Sequence, residues 1–110
     1  MNIILFKLLI GHALADFALQ SDSMAKGKNR HRKTEPPPGA KYQPTWPYWL
    51  MAHGLIHAGC VWLATGSAHF AVLELVAHVV IDFGKCENWY GINTDQASHI
   101  ACKVVWAVLS

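Results

Sequence analysis

Apolar residues run along this chain in four stretches, and polar residues interrupt them at helical spacing. His12 and Asp16, His53 and His57, and His78 and Asp82 puncture three of the stretches, while Asp95 and His99 open the fourth. Each pair is four residues apart, which puts its members on one helix face. The pattern predicts helices over about 2–24, 47–65, 68–85 and 95–110, with a basic, Pro-rich loop at 26–45. Ser21-Asp22-Ser23 and then Lys26-Gly27-Lys28 mark the end of the first helix, and Pro36-Pro37-Pro38-Gly39 cannot continue it. Pro47 suits a first helical turn and Gly66-Ser67 a tight turn. Asn93 or Thr94 suits a helix cap, with Gln96 as its reciprocal partner.

These elements predict an all-α, antiparallel four-helix bundle in one domain. At ~1.5 Å per residue, the first stretch could cross a hydrocarbon core of ~30 Å. With 53% of residues apolar and 15% charged, the expectation is a transmembrane bundle whose fourth helix is short for a full span. A soluble bundle with unusually apolar helices is the alternative. Lys26, Lys28, Arg30, Arg32, Lys33 and Lys41 share one loop. Basic loops stay in the cytoplasm, which predicts a multi-pass protein of the bacterial inner membrane with both termini outside. Lys85 falls in the second cytoplasmic loop of that topology. Trp46, Tyr48, Trp49, Trp89 and Tyr90 would form an interfacial belt on the same side.

The expected partners follow from that placement: the lipid bilayer, anionic lipid at the basic loop, and a second copy or another membrane protein shielding the polar interior. Nucleic acid is discounted, because the basic run lacks regularly interleaved aromatics. Ala13-Leu14-Ala15 has the form of a signal cleavage site, but no positive charge precedes the apolar run, so cleavage is not expected. Cys60, Cys86 and Cys102 show neither disulfide nor zinc-finger spacing. No Gly-rich phosphate loop or nucleophile elbow is present.

Helix direction turns the pairs into a constellation. In an up-down bundle the late part of the first and third helices meets the early part of the second and fourth, so all four pairs reach one depth. Imidazole and carboxylate suit Zn, with Mn and Fe as the alternatives. The candidate ligands are His12, Asp16, His57, His78, Asp82 and His99. Asp95 and Asp82 are the candidates for acid–base work, although a first-turn Asp95 could serve only the helix dipole. Gln20, His53, Glu74, Lys85, Gln96 and Lys103 are expected to support the site. A buried charge needs a partner, so Glu74 and Lys103, at matching depth, are expected to pair. His31 and His69 read as surface residues.

The segment Gly11-His12-Ala13-Leu14-Ala15-Asp16-Phe17-Ala18-Leu19-Gln20, followed by Met24-Ala25-Lys26, resembles the opening of a small bacterial and phage membrane-protein family of unknown function. His53 and His57, Glu74 with His78, Asp82 and Lys85, and Asp95-Gln96 with His99 extend the resemblance over nearly the whole chain. The family brings no activity with it. A looser similarity to predicted membrane-bound metal-dependent hydrolases implies hydrolysis by metal-bound water, and a site opening toward the cytoplasmic headgroups would make a phosphate ester or lipid headgroup the expected substrate. The competing reading is a non-catalytic membrane protein whose polar network fixes helix pairing and binds a partner. Proton conduction fits less well, because the pairs gather at one depth instead of lining a path.

Overall fold

Helix α1, Ile3–Ala13, runs directly into a single π-helical turn, Leu14–Ala18, closed by Leu19 N–H donating to Leu14 O at 2.7 Å. The chain then breaks. Ser21 is extended, its hydroxyl accepts a hydrogen bond from Met24 N at 3.1 Å, and a new short helix α2 covers Asp22–Gly27. Ser21-Asp22-Ser23 therefore starts a helix where an ending was expected, because a serine that satisfies a free amide caps a new helix. The computed structural model describes residues 3–32, 38–41 and 45–110. Residue 2, Lys33, Pro36-Pro37 and Pro44, all used in the sequence reading, lie outside them.

Helix α3 spans Trp46–Thr65 with Pro47 in its first turn, and Gly66 closes it at a φ of 71°, a left-handed conformation that suits glycine. Ser67 caps α4, Ala68–Cys86, through Phe70 N. Helix α5, Ile92–Leu109, begins after Gly91 with no side-chain cap. It starts three residues before the expected position, which places Asn93 and Thr94 inside the first turn and frees Gln96 for another role.

Helix α1 packs on α3, α3 on α4, α4 on α5, and α5 back on α1. The four long helices thus close a ring. One end of the interior is apolar, with Leu8, Val61, Trp106 and Ala107 buried together against Phe70 and Ala77. Much of the remainder is polar: His12, Lys28, His53, His57, Glu74, His78, Asp82, Asp95, His99 and Lys103 are all buried, beside scattered apolar residues such as Leu50 and Met24. The outside carries exposed Phe6, Leu14, Phe17, Leu55, Trp62, Leu63, Val76, Val80 and Val108, an apolar exterior of the kind that marks an interaction surface.

The membrane expectation is corrected here. Among the described residues, no helix is long and apolar enough to cross a membrane. The π turn and the break at Ser21 cut the first predicted span to 11 α-helical residues, Ile3–Ala13, about half of what a hydrocarbon core requires. Glu74, His78, Asp82 and Lys85 interrupt α4, and Asp95, Gln96, His99 and Lys103 interrupt α5. Summed apolar content suggested spans; uninterrupted apolar length does not supply them. The inner-membrane placement, the outward termini and the membrane-embedded hydrolase fall with it, as does the non-catalytic membrane alternative. What stands is an all-helical domain with buried His and Asp groups.

Candidate metal centre

Asp16 is the hinge of the site. It lies within the π turn, which widens the helix locally, an irregularity frequent at functional sites. Gln20 Nε2 donates to the Asp16 backbone carbonyl at 3.0 Å and braces this turn. The side chain of Asp16 gathers donors from three other places. His57 Nε2 donates to its Oδ1 at 2.8 Å, and His53 Nε2 stands 3.2 Å from the same oxygen without the alignment of a hydrogen bond. Gln96 Nε2 donates to its Oδ2 at 2.9 Å, and His12 Nε2 lies 3.4 Å away.

His53 and His57 are successive turns of α3, and His78 faces them from α4. The three imidazoles are 0% exposed, and the rings of His57 and His78 stack with centroids 3.7 Å apart. His78 Nε2 is 3.3 Å, and His53 Nε2 3.4 Å, from Asp82 Oδ2. Among the described residues, neither ring nitrogen of His53 or His78 makes a hydrogen bond. Buried nitrogens left this way are costly unless something else engages them. One donor atom each from Asp16, His53, His57 and His78 fall within 4.8 Å of one another.

Asp82 ties this group to α5 and to the loop. His99 Nε2 donates to its Oδ1 at 2.9 Å, and Lys28 Nζ to its Oδ2 at 2.9 Å. Asp95 Oδ1 is 3.3 Å from His99 Nε2, so Asp95 is buried within the cluster instead of serving only the helix dipole. Gln96, expected both as a cap and as a supporting residue of the site, bridges Asp16 and Asp95 and holds His12 Nε2 through its Oε1 at 2.9 Å. Lys103 Nζ donates to Glu74 Oε1 at 2.5 Å and Trp106 Nε1 to Oε2 at 2.7 Å, so the expected Glu74–Lys103 pair forms at the border of the apolar end.

The electrostatics favour imidazole as a neutral ligand. Burial lowers His57 to about 3 against the opposing pull of Asp16. His53 and His12 are likewise lowered, chiefly by burial. Burial pushes Asp16 and Asp82 upward, but the surrounding imidazoles, with Gln96 for Asp16 and Lys28 for Asp82, hold both well below the usual carboxylate range. Burial also opposes charge on His99, yet Asp82 and Asp95 outweigh it and raise His99 to about 9. The side chains of Asp16, Glu74, Asp82 and Asp95 share this interior with Lys28, Lys103 and the imidazoles.

The structure thus brings together His12, Asp16, His53, His57, His78, Asp82, Asp95, Gln96 and His99, with Glu74 and Lys103 adjoining. Lys85 is half-buried and stands outside the cluster. His31 stays at the surface, 2.8 Å from Glu87 Oε2, beside an Arg30–Glu87 ion pair that pins the loop to the end of α4. The sequence reading missed Lys28. It grouped this residue with a solvated basic loop, and only the surplus of buried carboxylates signalled that a loop cation must enter.

One family model matches residues 4–109, and its description is a protein of unknown function, DUF3307. No curated protein and no solved structure matches the chain.

Proposed function

The chain belongs to the DUF3307 family, and from its buried donor cluster we propose that it is a metal-binding helical module. The ion is a divalent transition metal, Zn²⁺ first and Mn²⁺ or Fe²⁺ next, held by Asp16, His53, His57 and His78. Neutral imidazoles and one carboxylate are the donor set that zinc accepts. Donor spacing carries the reading. Bonds of about 2.0–2.1 Å in a tetrahedron separate their donors by about 3.3–3.4 Å. Asp16 Oδ1 lies 2.8 Å from His57 Nε2 and 3.2 Å from His53 Nε2, and all four donor atoms lie within 4.8 Å of one another, so side-chain adjustment without backbone rearrangement would close the tetrahedron.

Such an ion would join α3, α4 and the π turn, and a closed shell of four protein ligands is the structural type. The ion would also engage the ring nitrogens of His53 and His78, which make no hydrogen bond among the described residues. Its role is then to fix the arrangement of helices around a polar core that apolar burial alone does not hold together. Metal analysis of protein purified without chelator tests this. About one equivalent of transition metal is expected in the native chain, with loss in His57→Ala and in Asp16→Ala while helical content persists. Native protein that neither carries nor takes up Zn²⁺ would overturn the proposal.

A further inference from the structure

We propose a second divalent-cation position beside the first, formed by Asp82, Asp95 and His99, with Asp82 bridging the two and Lys28 competing for it. It rests on the metal-binding reading above. The bridge is visible in how Asp82 is shared. Its Oδ2 faces the first donor group, 3.3 Å from His78 Nε2 and 3.4 Å from His53 Nε2. Its Oδ1 faces away, 2.9 Å from His99 Nε2. A carboxylate whose two oxygens serve two donor groups can span a pair of ions, which in two-metal sites lie about 3.5–4 Å apart.

An independent observation marks the far side of the position. Asp95 Oδ1 is buried, stands 3.3 Å from His99 Nε2, and has no hydrogen-bond partner among the described residues. The side chain is only 4% exposed, so bulk water does not supply what the protein omits. Donor atoms of Asp82, Asp95 and His99 lie within 4.8 Å of one another. Two carboxylates and one imidazole make a harder set than the first, and one that suits Mn²⁺.

Lys28 explains why the two positions differ in strength. Its ammonium, 2.9 Å from Asp82 Oδ2, is a cation already placed on the bridging group. It arrives from the end of α2, where Gly27 lies so close to Trp49 that a Cβ would meet the indole at 2.3 Å. Asp82 Oδ2 is the oxygen turned toward the first donor group, so a lone first ion leaves it to Lys28. Asp82 bridges only when a second ion binds and the ammonium gives up Oδ2. The second ion therefore binds more weakly than the first.

Mn²⁺ titration of the full chain, read by equilibrium dialysis and by electron paramagnetic resonance, tests the proposal in three proteins. The native chain is expected to take two equivalents, the second about tenfold or more weaker, with an exchange-coupled signal at saturation. Asp95→Asn, nearly identical in shape, is expected to keep the first equivalent and lose the second. Lys28→Met is expected to tighten the second by about tenfold. One equivalent in all three proteins would overturn the second position alone, as would a second equivalent unaffected by Asp95→Asn. No uptake of Mn²⁺ by a chain that still binds one Zn²⁺ would overturn the second position, and no uptake of either ion would overturn the metal-binding reading itself. Asp95→Asn keeps the test decisive if Lys28→Met fails to fold.

Discussion

Replacing Lys103 by Met tests how the polar interior is held. Glu74 and Lys103 are each 1% exposed, and Lys103 Nζ lies 2.5 Å from Glu74 Oε1. Lys103→Met preserves most of the buried stem but leaves the carboxylate with the Trp106 indole, 2.7 Å from Oε2. Breaking a buried ion pair from one side costs about 3–5 kcal/mol, against a total stability of about 5–15 kcal/mol for a domain. Part of the loss returns if Glu74 takes up a proton, since burial pushes it upward and His78, Lys103 and Trp106 together hold it at about 2. Removing both charges in Glu74→Leu/Lys103→Met deletes the desolvation penalty along with the attraction. The double variant is then short mainly of the Trp106 hydrogen bond, about 1–3 kcal/mol. Urea unfolding of the native chain, both single variants and the double variant, followed by far-ultraviolet circular dichroism, gives the cycle. Lys103→Met with a native midpoint, or a double variant as unstable as the sum of the singles, would refute the reasoning.

With chelator present, thermal stability should peak near neutral pH. Burial lowers His57 to about 3, so its contribution is complete above about 6.5 and drains as pH falls and the unfolded imidazole takes up the proton. His99, raised to about 9 despite burial by Asp82 and Asp95, contributes fully below about 6.5 and loses that contribution as pH rises through 9; a melting temperature that keeps climbing below about pH 6.5 would contradict the His57 part, and one that stays level between about 6.5 and 9 the His99 part. Gly27→Ala should destabilise by about 1–3 kcal/mol, the cost of overpacking, because its Cβ would lie 2.3 Å from Trp49; an unchanged denaturant midpoint would place Trp49 elsewhere. Ser21→Ala should cost about 1 kcal/mol through loss of the α2 cap, and hydrogen exchange should show Met24 N losing protection, with unaltered exchange arguing against the cap.

Helical periodicity made much of the interior legible. The i,i+4 pairs share faces wherever the helix is regular, so His53 with His57 and His78 with Asp82 could be read from spacing alone, and the Glu74–Lys103 pair from matching depth on antiparallel helices. Three features could not. The π turn at Leu14–Ala18 depends on a hydrogen bond shifted by one residue, which no residue type there announces. Gln96 was expected both to cap the helix and to support the site, but its bridge between Asp16 and Asp95 depends on the earlier start of α5. Lys28 sits in a run of basic residues whose local pattern is that of a solvated loop, and its burial depends on carboxylates far away in sequence. The membrane reading failed for a different reason. Apolar content was high in every stretch, but the polar residues that build the site also interrupt the apolar length a span needs.

The central claim is that Asp16, His53, His57 and His78 hold one ion together. X-ray absorption at the zinc edge, on the native chain loaded with a single equivalent of Zn²⁺, tests it most directly. The account predicts a shell of nitrogen and oxygen at about 2.0–2.1 Å, with outer-shell scattering from three imidazole rings and no sulfur. A sulfur contribution from Cys60, Cys86 or Cys102, or a shell of oxygen alone without ring scattering, would contradict it.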